Sequence, residues 1–113
     1  MSAAYDRDKL VELFGNDPKT LAEIEREFLD TAREAAREIA ETDDLATIAR
    51  AAHRLKGASG MIGAAPLHQI AEAIERDAKA GDLMGVRRMH EPLRREVLRV
   101  GGQAGLEAHW SSS

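Results

Sequence analysis

The sequence predicts an all-α fold in which antiparallel helices pack as a bundle, and three observations carry that expectation. Ala, Leu, Glu and Arg dominate the 113 residues, aromatic residues make up only 4% and β-branched residues are few, a balance that favours helix over strand. Apolar residues recur at alternating spacings of three and four through successive stretches, the period of a helix with one face on a core. The stretches are separated by short breaks carrying helix punctuation, with an aspartate ahead of most starts and Gly, Asn or Pro at the junctions.

Asp6 caps a first helix over about 6–14, with Leu10, Leu13 and Phe14 on one face and Gly15 as its stop. A helix so short is not stable alone, and it is expected to lie across one end of the bundle through Tyr5, Leu10 and Phe14. Asn16-Asp17-Pro18 reads as turn, cap and first residue of a second helix over about 18–41. Its buried stripe is Leu21, Ile24, Phe28, Ala32, Ala35 and Ile39, while Glu23, Glu25, Arg26, Arg33, Arg37 and Glu38 face water. Thr42-Asp43-Asp44 closes it and supplies caps and negative charge at the start of a third helix, about 44–62. Gly63-Ala64-Ala65-Pro66 is a break, and so short a connection makes a fourth helix, about 66–80, the antiparallel neighbour of the third. The fourth buries Leu67, Ile70, Ala71, Ile74 and Ala78 and stops at Gly81. Asp82 caps a fifth over about 83–100, carried by Leu83, Val86, His90, Leu93, Val97 and Val100. Pro92 has no N–H to offer Arg88, so this helix is expected to kink or split near Glu91. Residues 101–113 read as a frayed tail, and the chain 1–113 as a single domain.

The third helix carries the most informative stretch. Leu45, Ile48, Ala52, Leu55, Ser59 and Ile62 form its apolar face, and His53 lies roughly 130° from the centre of that face, pointing outward. Around it stand Ala46, Ala49, Gly57 and Gly60, all small, with Lys56 one turn along on the edge. Glycine in a helix interior is unfavourable by about 0.5–1 kcal/mol relative to alanine, so two of them on one face point to close approach by something else. The alternative is that they let a neighbouring helix pack tightly and that His53 is only a solvated surface residue.

His53-Arg-Leu-Lys56-Gly57-Ala-Ser59-Gly60 followed by Gly63-Ala64 resembles the signature of the histidine phosphotransfer (HPt) domain family of bacterial phosphorelays. The resemblance extends over most of residues 6 to 100 and implies that family's antiparallel four-helix bundle, here with a short extra N-terminal helix across one end. It implies that His53 is the phospho-acceptor, that Lys56 assists the phosphoryl group, and that Gly57 leaves room for the partner. The partners so implied are receiver domains of a hybrid histidine kinase or a response regulator in two-component signal transduction, one giving the phosphoryl group as an aspartyl phosphate and another taking it. The receiver is expected to bring Mg²⁺, so no cofactor is expected on this chain.

Geometry adds one residue. If the turn centres on Ala64, His53 lies eleven residues before it and Glu75 eleven after, at one height of the hairpin. A Glu75 carboxylate that accepts the Nδ1 proton would leave the Nε2 lone pair free; pairing of Glu75 with Arg76 or Lys79 in water is the alternative. Glutamate here is similar to the phosphotransfer domains of chemotaxis-type kinases, where many stand-alone members carry glutamine. The docking surface is expected to be the clearing of Ala49, Gly57 and Gly60 around His53, with Met61, Leu13 and Phe14 as an apolar rim, unless the last two are simply core.

Other classes are disfavoured. Acidic residues outnumber basic ones, 20 to 16, and the Arg87, Arg88, Arg94, Arg95, Arg99 run reads as the solvated face of the last helix, so nucleic acid is not an expected partner. No stretch approaches the roughly 20 apolar residues needed to span a bilayer, no basic and apolar leader opens the chain, and cysteine is absent, so the cytoplasm is the expected compartment. None of His53, His68, His90 or His109 has a Glu three residues before it, which argues against a carboxylate-bridged metal bundle. His68 reads as a surface residue and His90 as a partly buried packing residue. Gly57, Gly60 and Gly63 follow no strand and form no nucleotide loop, so a phosphohistidine carrier without kinase activity of its own is expected. The remaining alternative is a non-catalytic helical platform that binds a receiver or kinase.

Overall fold

Each of four helices starts where an aspartate side chain meets a free backbone N–H. The computed structural model describes residues 3–105. Asp6 accepts from Lys9 N at the start of α1 (Arg7–Phe14), Asp17 from Thr20 N at α2 (Pro18–Glu41), and Asp44 from Thr47 N at α3 (Leu45–Met61). α4 (Ala65–Lys79) starts on Pro66 in its first turn, and Asp82 caps α5 (Leu83–Arg88) through Gly85 N. α6 (His90–Ala104) follows after Met89. Among the described residues there are six helices and no strand.

The four long helices, α2, α3, α4 and α6, close a ring, because α2 packs on α3 and α6 while α4 packs on the same two, with α3 against α4 as the most extensive seam. The core between them is Leu21, Leu29, Ile48, Leu55, Leu67, Ile74, Leu93 and Val97, each no more than 2% exposed. Full burial of such side chains contributes about 1.5–3 kcal/mol apiece before entropy is counted, so this core is the main source of rigidity for whatever the surface carries. The α3–α4 turn is tight. Gly63 adopts φ 70°, and a Cβ there would stand 2.8 Å from the Cβ of Asp6, so only glycine fits without displacement.

The amino-terminal residues are bound to the bundle end where α3 and α6 finish. Asp6 N–H donates to the Ile62 carbonyl at 3.1 Å, and Lys9 Nζ to the Gly60 carbonyl at 3.0 Å. Gln103 Oε1 accepts from Ala4 N and Tyr5 N at 2.7 and 3.2 Å while its Nε2 donates to the Tyr5 carbonyl at 2.9 Å. Tyr5 also donates its hydroxyl to Glu25 of α2, and burial first, the Glu25 carboxylate second, push that phenol far above its ordinary range.

Several expectations are corrected here. Glu25, assigned to the water-facing side of α2, is 5% exposed, because Tyr5 and Arg7 come from the preceding segment to meet it. Tyr5 and Leu10 anchor α1 as expected, but Leu13 and Phe14 are 54% and 40% exposed and do not. The last helix does not fray after Val100; it runs to Ala104, since Gly101 is buried and Gln103 fastens the chain start. The break expected near Glu91 falls at Met89, which places Pro92 in the first turn of α6, where its missing N–H has no partner to lose. His90 is exposed, not a packing residue, because that break rotates it off the core stripe. Arg87 is not merely solvated: it donates to the Ile39 and Thr42 carbonyls at 3.0 and 2.8 Å and pairs with Asp43, closing the carboxyl end of α2. Residues 106–113 of the expected tail, with His109, lie outside the described residues. Among the described residues no helix is long and apolar enough to cross a membrane.

Candidate functional site

The antiparallel α3–α4 seam brings His53 and Glu75 together. Leu55 and Ile48 seat α3 on the core and Ile74 and Ala78 seat α4, so the two side chains meet on the outer edge of the seam. His53 Nδ1 lies 2.9 Å from Glu75 Oε2, with the imidazole 70% exposed and the Glu75 side chain 7% exposed. A buried carboxylate thus holds one edge of an exposed ring.

Glu75 is in turn held by two lysines. Lys56 Nζ stands 2.8 Å from Oε1 and Lys79 Nζ 3.1 Å from Oε2. The Lys56 hydrogen bond most of all, against the opposing effect of burial, and then Lys79 and His53, hold the Glu75 carboxyl down to about 2. The same contact raises Lys56, which remains an ammonium. An ionised Glu75 only accepts, so the proton shared with His53 sits on Nδ1, and in the neutral ring the lone pair is then on Nε2.

This ionisation carries a stability prediction. A folded-state carboxyl near 2 against a reference of 4.5 contributes stability that is complete above pH 4.5 and is lost as pH falls from 4.5 towards 2. Allowing for water around Lys79 and His53, the acid-sensitive part is about 2 kcal/mol. Denaturant titrations between pH 5 and 2 should show the wild type losing that much more stability than Glu75→Gln; equal losses would deny Glu75 its buried ionised form.

The surroundings of His53 separate into open and closed parts. A Cβ at Gly57 would touch nothing within 4 Å, and Gly57 is exposed, so the backbone is bare one turn beyond the histidine. Ala49 is half-buried and lines a hollow of about 300 Å³ with Arg50, His53, Glu75 and Lys79. Gly60 belongs elsewhere: its open side faces the His68 ring, 3.5 Å from a Cβ placed there, at the α3–α4 seam. His68 is half-buried, not a surface residue, and its Nδ1 lies 3.0 Å from the Lys56 carbonyl, tying α4 to α3 beside the site. Sequence reasoning missed this residue; its position five after Gly63, in the first turns of the helix facing Lys56, was the available signal.

Met61 is 54% exposed and joins Phe14, Ile24, Phe28, Ala58 and Ile62 around an apolar groove of about 310 Å³ between α1, α2 and α3. Leu13 is exposed nearby in sequence but does not line it. On the α2 side of His53, Arg54 pairs with Glu38 at 3.1 Å. Among the described residues no group of three or more His, Asp or Glu side chains is placed to hold a metal ion.

Comparison with curated proteins gives no match, and comparison with solved structures gives none either. A family model does match: that of the Hpt domain, over residues 10–103, which takes in the bundle from α1 almost to the end of α6 and the whole His53 site. Hpt domains carry out histidine phosphotransfer in two-component phosphorelays and interact with receiver domains. With that match across most of its length, and an exposed histidine anchored on a rigid helical bundle, the chain belongs to the Hpt domain family.

Proposed function

We propose that this protein is a cytoplasmic phosphorelay intermediate in which Nε2 of His53 accepts a phosphoryl group from the aspartyl phosphate of one receiver domain and passes it to an aspartate of a response regulator. The observation that carries this reading is the exposed imidazole fixed at Nδ1 by a buried, ionised Glu75. That contact sets both the tautomer and the direction of the ring before a partner arrives, so little ordering is left for the encounter.

The chemistry asks little else of the domain. The Nε2 lone pair forms a bond to phosphorus, the bond to the aspartate oxygen breaks, and the electron pair leaves with the carboxylate. Nδ1 keeps its hydrogen and the ring becomes a cation facing Glu75. Transfer passes through a loose transition state that depends on alignment and on neutralising the phosphoryl oxygens. Lys56 supplies a positive charge beside the ring, and the receiver brings Mg²⁺ in its own acidic cluster. Gly57 and Ala49 give the receiver a low surface next to His53, and the groove at Phe14 and Met61 offers an apolar rim. Neither nucleic acid nor membrane enters this scheme.

The decisive experiment mixes the protein with receivers carrying labelled aspartyl phosphate. The label should move to this chain in an acid-labile, base-stable form and then move on to a second receiver, whereas ATP alone should label nothing. If no receiver from the source organism transfers its label, the domain is a binding platform and the relay reading fails.

A further inference from the structure

Glu75 Oε2 has two donors on one atom. His53 Nδ1 is at 2.9 Å and Lys79 Nζ at 3.1 Å, so ring and ammonium lie within about 6 Å of each other. The two lysines on Glu75 are not equivalent. Lys56 holds Oε1 from a half-buried position, its side chain 28% exposed, while Lys79 is 67% exposed at the mouth of the hollow it lines with Ala49, Arg50 and His53. Lys56 is a clamp. Lys79 is a cation on a long stem, one turn along α4, with open space beside it.

We infer that Lys79 is the exchangeable cation of the site: it shares Glu75 Oε2 with the unmodified His53 and moves onto the phosphoryl oxygens once Nε2 carries the group, with Arg50 lining the same hollow. This rests on the reading of His53 as the acceptor. Two charge changes drive the exchange in one direction. Forming the bond at Nε2 without moving a proton turns the ring into a cation, which makes a stronger claim on Oε2. The arriving phosphoryl group adds negative charge within reach of the Lys79 stem. Lys56 stays on Oε1, so Glu75 keeps its place while its other oxygen changes partners.

The charged groups around the exchange are few. From α3 come Lys56, Arg50 and Arg54, the last tied to Glu38 of α2; from α4 come Glu75, Lys79 and Glu72, the last acting on Lys56 through space. Arg54 is already paired and Lys56 is on Oε1, which leaves Lys79 as the lysine whose release from Glu75 is compensated by the ring's new charge. An exposed ammonium exchanges one partner for another at little net cost, since water screens both states.

Phosphoramidate provides a test free of any protein donor: His53 displaces ammonia from phosphorus and the phosphohistidine forms without docking. With lysine nitrogens labelled, the Lys79 Nζ resonance should move on phosphorylation and the Lys56 resonance much less. Lys79→Met should lower the labelling rate or the lifetime of the phosphohistidine about three- to tenfold, as expected for one partly screened charge. Lys79→Arg should stay within about twofold of wild type, and ring ¹⁵N shifts should show the Nδ1–H form in both variants. An unmoved Lys79 resonance, or Lys79→Met behaving as wild type while His53 is labelled normally, would overturn the exchange and leave the acceptor reading intact. If neither phosphoramidate nor any receiver labels His53, the acceptor reading fails and the exchange with it.

Discussion

His53→Gln is expected to take no label from a phosphorylated receiver while melting within about 2 °C of the wild type. The two halves of this expectation come from different properties of one residue. The imidazole is 70% exposed and contributes nothing to the core, so its replacement removes a surface ring. Glu75 keeps both lysines, at 2.8 and 3.1 Å, and a glutamine amide can donate towards the carboxylate as Nδ1–H does, so no buried charge is stranded. An amide nitrogen has no available lone pair, however, and forms no phosphoramidate. The other described histidines are poor substitutes. His68 is half-buried with Nδ1 on the Lys56 carbonyl, and His90 lies on α6, away from the α3–α4 seam. Acid-labile label remaining on His53→Gln at more than a few per cent of wild type would move the acceptor elsewhere on the chain.

Much of this arrangement was legible in the sequence, for reasons that are local. The aspartate caps act over three residues, and each of Asp6, Asp17, Asp44 and Asp82 is found accepting from the backbone N–H three positions on. The meeting of His53 and Glu75 follows from a tight turn and a constant rise per residue, and the 2.9 Å contact shows how little freedom a short hairpin leaves. What was not legible depends on contacts between distant segments. Glu25 reads as a solvated charge until Tyr5, twenty residues earlier, covers it. The helical continuation through Gly101 and Gly102 runs against propensity and is held by Gln103, whose partners are ninety-eight and ninety-nine residues away. By spacing alone Lys79 is only an alternative partner for Glu75; that Lys56, Lys79 and His53 all share the carboxylate follows from side-chain reach, which spacing does not encode.

Gly57 gives the sharpest separation between chemistry and docking. A glycine inside a helix is unfavourable by about 1 kcal/mol relative to alanine, and at Gly57 nothing in the domain itself requires it, since an added Cβ meets no atom within 4 Å and the backbone is ordinary helix. Gly57→Gln should therefore leave the fold as stable as before or slightly more so. The new side chain would project one turn from His53 into the space where a globular donor must set its aspartate against Nε2. A misplacement of about 1 Å in such an in-line transfer is enough to lose two orders of magnitude in rate, so transfer from a phosphorylated receiver should fall about 100-fold. Labelling of His53 by phosphoramidate, which needs no docking surface, should stay within about twofold of wild type. Gly60→Ala serves as the contrast, because its Cβ faces the His68 ring at 3.5 Å, an ordinary contact inside the domain, and both routes should be nearly unaffected. Equal loss by both routes in Gly57→Gln would mean that the side chain disturbs the imidazole itself; equal retention would mean that the receiver approaches from another side, and the docking surface assigned to Ala49 and Gly57 would have to be abandoned.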